Sequence, residues 1–328
     1  MVPVREGEDR LAHAVTVASD DGQLPKGTRV AILGVPEDIG VRANMGRPGT
    51  RRMWRAFLPK FLSMQSNPFL DGTAVCIAGT VDVRDLRRAV RDADPHAAGP
   101  RTRADALRRL REATAEIDRR VTEVVAGIRS QGAVAVVVGG GHNNAFGVLA
   151  GCSRACGAPM GCVNIDLHAD LRSAEGRHSG NGFTYARMEG HLGPYAIIGM
   201  SEAYATRPIV DSIRADPGIL AVTLESMLRG EHGIDGAVQL AAAHVGNAPC
   251  TLEIDLDAVA QAPASAAAAT GFSGAEVRAM ASRLAARLTV HAVHVAEGAP
   301  GLGPWSGEML GKFVAEVVRD AATRACSR

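Results

Sequence analysis

Apolar positions along this chain follow two rhythms. Arg103–Ser130 carries Leu107, Leu110, Ala113, Ile117, Val121, Val124 and Ile128 at steps of three or four, which gathers one apolar face along a helix. Short, nearly all-apolar runs recur elsewhere: Arg29–Val35, Thr73–Ala78, Ala133–Val138, the run ending at Cys162–Ile165, Ala196–Met200, Ile219–Thr223, Thr251–Leu256 and Ala292–Ala296. Runs of this length without polar alternation suit strands buried on both faces. Between them the pattern predicts helices starting near Thr50 and Ala145, then Arg207–Ala215, Asp235–Val245, Ser273–Arg287 and about Gly307–Arg324. Strand and helix thus alternate about eight times, which predicts an α/β fold: one open, mostly parallel sheet with helices on both faces. Residues 1–28 read as a polar, loosely ordered lead-in and 29–328 as a single domain.

Composition narrows this picture. Hydrophobic residues make up 46% of the 328 positions but aromatics only 4%, so the core is built from Ala, Val, Ile and Leu. A net charge of +1 gives no argument for nucleic acid or an acidic membrane as partner. No apolar run approaches the roughly 20 residues that cross a bilayer, and Met1–Gly22 lacks the apolar stretch of a secretory signal. Cytoplasmic location is the expectation. The six cysteines fall largely within apolar runs, and Cys152 and Cys156 have no second pair with which to complete a zinc site, so structural thiols are expected.

Candidate chemistry collects where strands end. NIDLHAD places Asp166, His168 and Asp170 at alternate positions after an apolar strand; side chains two apart in a strand share a face, so they should converge. EIDLDAV repeats the geometry with Asp255 and Asp257. GGGHNNAFG sets His142 after three glycines, a turn that matches neither a dinucleotide fingerprint nor a P-loop. Glu297 ends the strand before AEGAP. In open parallel sheets ligands bind outside the carboxyl ends of strands, where all seven residues fall. Taken singly, each has a blander role as turn residue, helix cap or solvated acid. Together, two histidines and four aspartates exceed the three protein ligands of a catalytic zinc and suit two divalent cations about 3.5–4 Å apart. Imidazole with carboxylate and no thiolate favours manganese over iron, cobalt or zinc. Such a pair would lower the pKa of a bridging water, with Asp170 accepting a hydrogen bond from it, which describes a binuclear hydrolase attacking a planar electrophilic carbon.

GGGH, NIDLHAD and EIDLDAV, in that order and spacing, resemble the three signature segments of the ureohydrolase family, which comprises arginase, agmatinase and formimidoylglutamase. The resemblance runs from GVPEDIGVRANMGRPG to AEGAP. It implies a three-layer α/β/α fold, two Mn2+ ions per chain, and a trimer or hexamer. It also implies His142, Asp166, His168, Asp170, Asp255 and Asp257 as ligands, with Glu297 positioning the substrate's amidine or guanidine group. Within the family the chain departs from arginase. The arginase segment SGNLH ends in a proton-shuttling histidine, whereas here Ser179–Phe183 ends in a phenylalanine, and Arg172 stands where arginases carry asparagine. The DLR and SGxxF pattern looks like formimidoylglutamase, although EGRHSGNGF is a longer loop and Ala258–Val259–Ala260 replaces the usual DP.

The expected reaction is therefore hydrolysis of N-formimidoyl-L-glutamate to L-glutamate and formamide. Asp170, Glu297 and His178 are the candidate catalytic groups, and Arg172, Asn181 and Glu297 the candidate substrate contacts. His178, sharing the loop with Phe183, is a candidate proton carrier or else a packing residue. Arg172 either grips a substrate carboxylate or pairs with Glu175. The alternatives are hydrolysis of another guanidino compound and a catalytically degenerate metal-binding scaffold. A zinc deacetylase of related fold would leave His142 and the second Asp pair without a role.

Overall fold

The computed structural model describes residues 5–326. Its strands are β1 (Thr16–Val17), β2 (Val30–Gly34), β3 (Val75–Thr80), β4 (Val134–Val138), β5 (Met160–Ile165), β6 (Leu192–Met200), β7 (Ile219–Thr223), β8 (Pro249–Asp255) and β9 (Thr289–Ala296). They form one sheet in the order β1-β3-β2-β4-β9-β8-β5-β6-β7, every pairing parallel. The hydrophobic pattern predicts about eight strands. The ninth is the two-residue β1, which adds to the edge at β3 with Thr16 opposite Cys76, so the stretch expected to be a loose lead-in carries ordered structure. Two residues are too short to show any hydrophobic period, and only pairing with β3 defines them.

The helices are α1 (Leu11–Ala14), α2 (Ile39–Ala43), α3 (Met53–Leu62), α4 (Arg84–Ala89), α5 (Pro100–Ser130), α6 (Asn144–Cys156), α7 (Gly182–Met188), α8 (Arg207–Ala215), α9 (Leu224–Leu228), α10 (Ile234–Val245), α11 (Gly274–Arg287) and α12 (Gly307–Cys326). Strand side chains alternate between two separate cores. Ile32, Val136, Val138, Val163 and Ile165 pack with residues of α3 and α10–α12, while Leu33, Val137, Cys162 and Tyr195 pack with residues of α5 and α6. That alternation makes the three-layer arrangement. Ser273 begins α11 with a reciprocal cap: its hydroxyl accepts from Glu276 N, and the Glu276 carboxylate accepts from Ser273 N. Cys152 and Cys156 both lie on α6; Cys152 is buried and Cys156 exposed.

Strand order differs from chain order at the middle of the sheet. The chain steps from β4 through α6 to β5, and β8 and β9 later fill the gap between them. The four central strands β4, β9, β8 and β5 therefore come from both halves of the sequence, and their carboxyl ends lie side by side at the switch point. On the layer beneath, α6 approaches α5 through two glycines one turn apart. A Cβ on Gly147 would lie 2.7 Å from Val121 Cβ, and one on Gly151 would lie 2.7 Å from Val125 Cβ and 2.8 Å from Thr122 O.

Gly151→Leu is expected to lower unfolding free energy by about 1–3 kcal/mol through overpacking. Gly127→Ala, at an exposed position of α5 where an added Cβ meets nothing within 4 Å, should raise it by about 0.5–1 kcal/mol. Urea titration of both variants checks the pair. Equal stability of Gly151→Leu and wild type would show that the helices do not need this close approach.

Candidate metal centre

Each central strand delivers its polar residue through a distinct turn. After β4 the chain passes Gly139 and Gly140, both at positive φ, and rises to His142. A Cβ at Gly140 would stand 2.2 Å from Asn144 Nδ2 and 2.8 Å from Glu37 Oε1, so only glycine fits. After β5, Asp166 and His168 lie beyond the last strand residue, Ile165, so strand alternation is not what aligns them. A local hydrogen bond does it instead: Asp166 Oδ1 accepts from His168 N at 2.8 Å. Asp255 ends β8 and repeats the device, its Oδ1 accepting from Asp257 N at 2.7 Å. Each aspartate closes a turn with one oxygen and offers the other to the site. Asp170 (φ 49°) and Glu297 (φ 62°) hold the left-handed conformation that glycine usually takes. Strain of this kind persists where surrounding structure over-determines it, and here both residues face the site.

The convergence is tight. His142 Nδ1 stands 3.0 Å from Asp170 Oδ2, 3.0 Å from Asp255 Oδ2 and 3.2 Å from Asp166 Oδ2. His142 is buried, and neither ring nitrogen makes a well-formed hydrogen bond. A buried imidazole facing three carboxylates is stable only with a positive charge between them, a proton or a cation. His168 sits nearer solvent, its Nδ1 3.4 Å from Asp166 Oδ1 and 4.0 Å from Asp257 Oδ2. The structure therefore gathers all six expected ligands, with one compact group around His142 and a looser one around His168. Imidazole and carboxylate donors of this kind fit divalent cations.

Ionisation reflects the crowding. Burial alone would discharge His142, yet the carboxylates of Asp166, Asp170, Asp255 and Glu253 outweigh it and push the imidazole well above its ordinary value. His168, against the same burial, is raised to about 10 by Asp166 and its neighbours. Burial, reinforced by Asp166 and Asp257, pushes Asp255 well up; burial raises Asp257 to about 7 and Glu297 to about 8. Glu297 Oε1 accepts from His142 N at 2.6 Å, and its Oε2 accepts from the Ser265 hydroxyl.

A cavity of about 780 Å3 opens over this cluster, with Asp170, Asp255, Asp257 and Glu297 at its base and Asn44, Arg172, Ser179, Gly180 and Tyr204 among its walls. Arg172 reaches it. Its Nη1 donates to Asn44 Oδ1 at 3.0 Å, while Glu175, the alternative partner, is taken by Arg111 at 3.0 Å. His178 does not reach it. The side chain is buried and turned back on its own loop, where Nδ1 accepts from Gly180 N at 3.1 Å. Burial, aided by Arg172, Arg111 and Arg177, drives its pKa down to about 3, which favours the neutral ring and works against a proton-carrying role. Asn181 is likewise spent within the loop: Oδ1 accepts from Arg177 Nη1 and His178 N, and Nδ2 donates to Ser173 O and Gly176 O. It has no group left for a substrate. Phe183 stacks on Tyr195 at 4.5 Å in the core, away from the cavity.

Sequence reasoning missed the residues that hold these turns. Arg177 is buried, pairs with Asp118 of α5 at 2.6 Å, and has its guanidinium over Phe146 at 4.8 Å and Tyr185 at 4.6 Å. Glu37 accepts from Ile39 N, Gly40 N, Gly141 N and Asn144 Nδ2, tying the loop after β2 to the glycine turn. Asn164, Glu253 and His294 form a buried polar row across β5, β8 and β9, one step below the ligands. Burial works against the charged form of Glu253, but His294 and His142 outweigh it and hold its pKa at about 2. The available signal was a polar residue flanked by apolar ones inside each of three strands, two positions before Asp166, two before Asp255, and in VHV.

The sequence model of the Arginase family matches residues 28–322. A formimidoylglutamase of Nocardia farcinica is 30% identical over 311 residues, covering 88% of this chain and 84% of that protein. One from Chromobacterium violaceum is 30% identical over 298 residues, covering 87% and 84%. Among solved structures, Trypanosoma cruzi formiminoglutamase with Mn2+ superposes with a TM-score of 0.76 at 19% identity, covering 98% of this chain and 99% of that one. Formimidoylglutamase of Bacillus subtilis gives 0.76 at 14% identity, covering 100% and 95%.

The protons held by His142, His168 and Asp257 must leave when a cation enters, because ligands bind deprotonated. Mn2+ affinity should therefore fall as pH drops from 8 to 6, by about tenfold per pH unit for each proton displaced. Calorimetry in two buffers of different ionisation enthalpy reads the proton release directly. Affinity flat across this range would contradict the assignment of these groups to a metal centre.

Proposed function

The chain belongs to the arginase family, and from that premise we propose that it hydrolyses N-formimidoyl-L-glutamate to L-glutamate and formamide at a centre of two Mn2+ ions. The observation that carries the substrate is Arg172, a guanidinium at the cavity wall held by a neutral asparagine and paired with no carboxylate among the described residues. Formimidoylglutamate brings two carboxylates; a simple guanidino amine such as agmatine brings none. Charge-assisted contact with such a group is the strongest discrimination a single side chain offers at this position.

His142, Asp166, Asp170 and Asp255 would hold one cation, and His168 with Asp166, Asp255 and Asp257 the other. When bound, the ions supply Lewis acidity and lower the pKa of water at the site. The chain's own residues do the rest. Asp170 lines the cavity base and can accept the proton of the attacking water. Glu297, anchored by His142 N and Ser265, presents carboxylate to the N–H groups of a substrate amidinium, orienting its carbon. The water oxygen bonds to that carbon, the bond to the glutamate nitrogen breaks, and the leaving amine takes up the proton held by Asp170 and the one the added hydroxyl releases as the formamide carbonyl forms. Leu171, Met200 and Ile209 on the cavity wall limit water around the substrate's methylene chain.

A panel of formimidoyl and guanidino compounds with Mn2+-loaded protein, assayed for formamide, urea and amine, tests the reading; turnover confined to guanidino compounds would reject it. Asp255→Ala should lose metal and activity together, since elemental analysis of wild type is expected near two Mn per chain. Arg172→Asn should lower kcat/KM for formimidoylglutamate about 10- to 150-fold, equivalent to about 1.5–3 kcal/mol, with metal content unchanged. Unaltered preference between acidic and neutral amidines in that variant would remove Arg172 from substrate recognition.

A further inference from the structure

Beneath the ligand cluster lies a second set of titratable groups that the proposed reaction does not touch. Glu253 and His294 face each other as register partners on β8 and β9. Both are buried, within strands whose neighbouring positions are apolar. A carboxylate and an imidazole in a sheet interior are costly unless something uses them. Glu253 Oε2 lies 2.7 Å from His294 Nδ1 and 3.5 Å from His142 Nε2. One oxygen thus stands between two imidazoles, whose rings are 5.9 Å apart and tilted by 57°.

We propose that Glu253, itself held by His294, is the positioning residue that fixes the tautomer and aim of His142 toward the metal centre. The two ring nitrogens of His142 have opposite surroundings. Nδ1 faces three aspartate oxygens at 3.0–3.2 Å, and Nε2 faces Glu253. A nitrogen that is to give its lone pair to a cation must carry no hydrogen, so the ring hydrogen must sit on Nε2. Glu253 Oε2, 3.5 Å away, is the carboxylate oxygen that faces it. Carboxylate behind imidazole in this way fixes the ring and raises its basicity as a ligand. His294 donates from β9 to the same carboxylate and keeps it from swinging away. The neighbouring Asn164 does the parallel service for Asp166, donating to its Oδ2 at 3.0 Å while also bonding Tyr195 Oη. The inference rests on the presence of a metal centre at His142 but not on the identity of the substrate.

The test is Mn2+ affinity, measured by competition with a chelator and by electron paramagnetic resonance of free Mn2+, on wild type, Glu253→Gln, His294→Leu and His294→Gln. Thermal unfolding of each metal-free protein shows which variants fold. Glu253→Gln should bind the Mn2+ at His142 about 10–100-fold more weakly, with full occupancy and kcat restored at excess Mn2+. His294→Leu should weaken binding to a smaller degree, and His294→Gln, which keeps a donor, should recover it. Folded Glu253 and His294 variants that bind Mn2+ as tightly as wild type overturn the inference while leaving the metal centre standing. A Glu253→Gln protein that loses one Mn2+ outright even at excess metal also overturns it, because Glu253 would then be a ligand. A wild type that binds no Mn2+ removes both readings.

Discussion

Mutual repulsion among carboxylates is the constraint around which this molecule is arranged. Asp166, Asp170, Asp255 and Asp257 converge on His142 and His168 at the carboxyl ends of adjacent strands, with the compact part of the group withdrawn from water. Such an arrangement is unfavourable unless a positive charge is shared among them. The surrounding carboxylates raise both imidazoles despite their burial, so a proton on each ring can supply that charge. A cation can do so with fixed geometry, and the site is built to hold that geometry before any cation arrives. The rigidity comes from the sheet: each aspartate that closes a turn is anchored to a strand whose backbone is paired on both sides.

The loop that walls the cavity is held differently. Residues 171–182 have no strand or long helix of their own, and a buried cation ties them to the rest of the fold. Arg177 bonds Asp118 on α5, the Asn181 side chain and Asn143 O beside the glycine turn, and lies over Phe146 of α6. Burial pushes Asp118 up to about 7 against the pull of this guanidinium, and both side chains lie in the interior. Removing either partner would leave an uncompensated charge in the core. The same loop carries Arg172 outward, so a buried arginine fixes the path along which an exposed one meets the cavity.

Support for the site therefore comes in two layers. The ligands come from strand ends, and a row of Asn164, Glu253 and His294 lies one register step below, within the sheet. Ligand orientation depends on groups behind the ligands as well as on the ligands themselves. Glu37 closes the assembly from the side, binding four donors from the loop after β2 and from the glycine turn.

The sequence by itself determined the alternation of strand and helix, the burial of the strands, and the residue types gathered at strand ends, because hydrophobic period and ligand chemistry are local properties. Eight of nine strands, the long helix ending at Ser130, and all six metal-ligand candidates were legible in this way. Local pattern could not say which strands lie side by side. Only the tertiary structure inserts β9 and β8 between β4 and β5 and so brings His142 to Asp255, 113 positions apart in the chain. It also decided the fate of three loop residues that looked alike in sequence. Arg172 faces the cavity, whereas His178 and Asn181 are turned inward, because Arg177 and the backbone of their own loop take up the hydrogen-bonding groups they would otherwise offer. Burial and competition for hydrogen bonds are set by what packs against a residue from distant parts of the chain, and no spacing along the sequence encodes them.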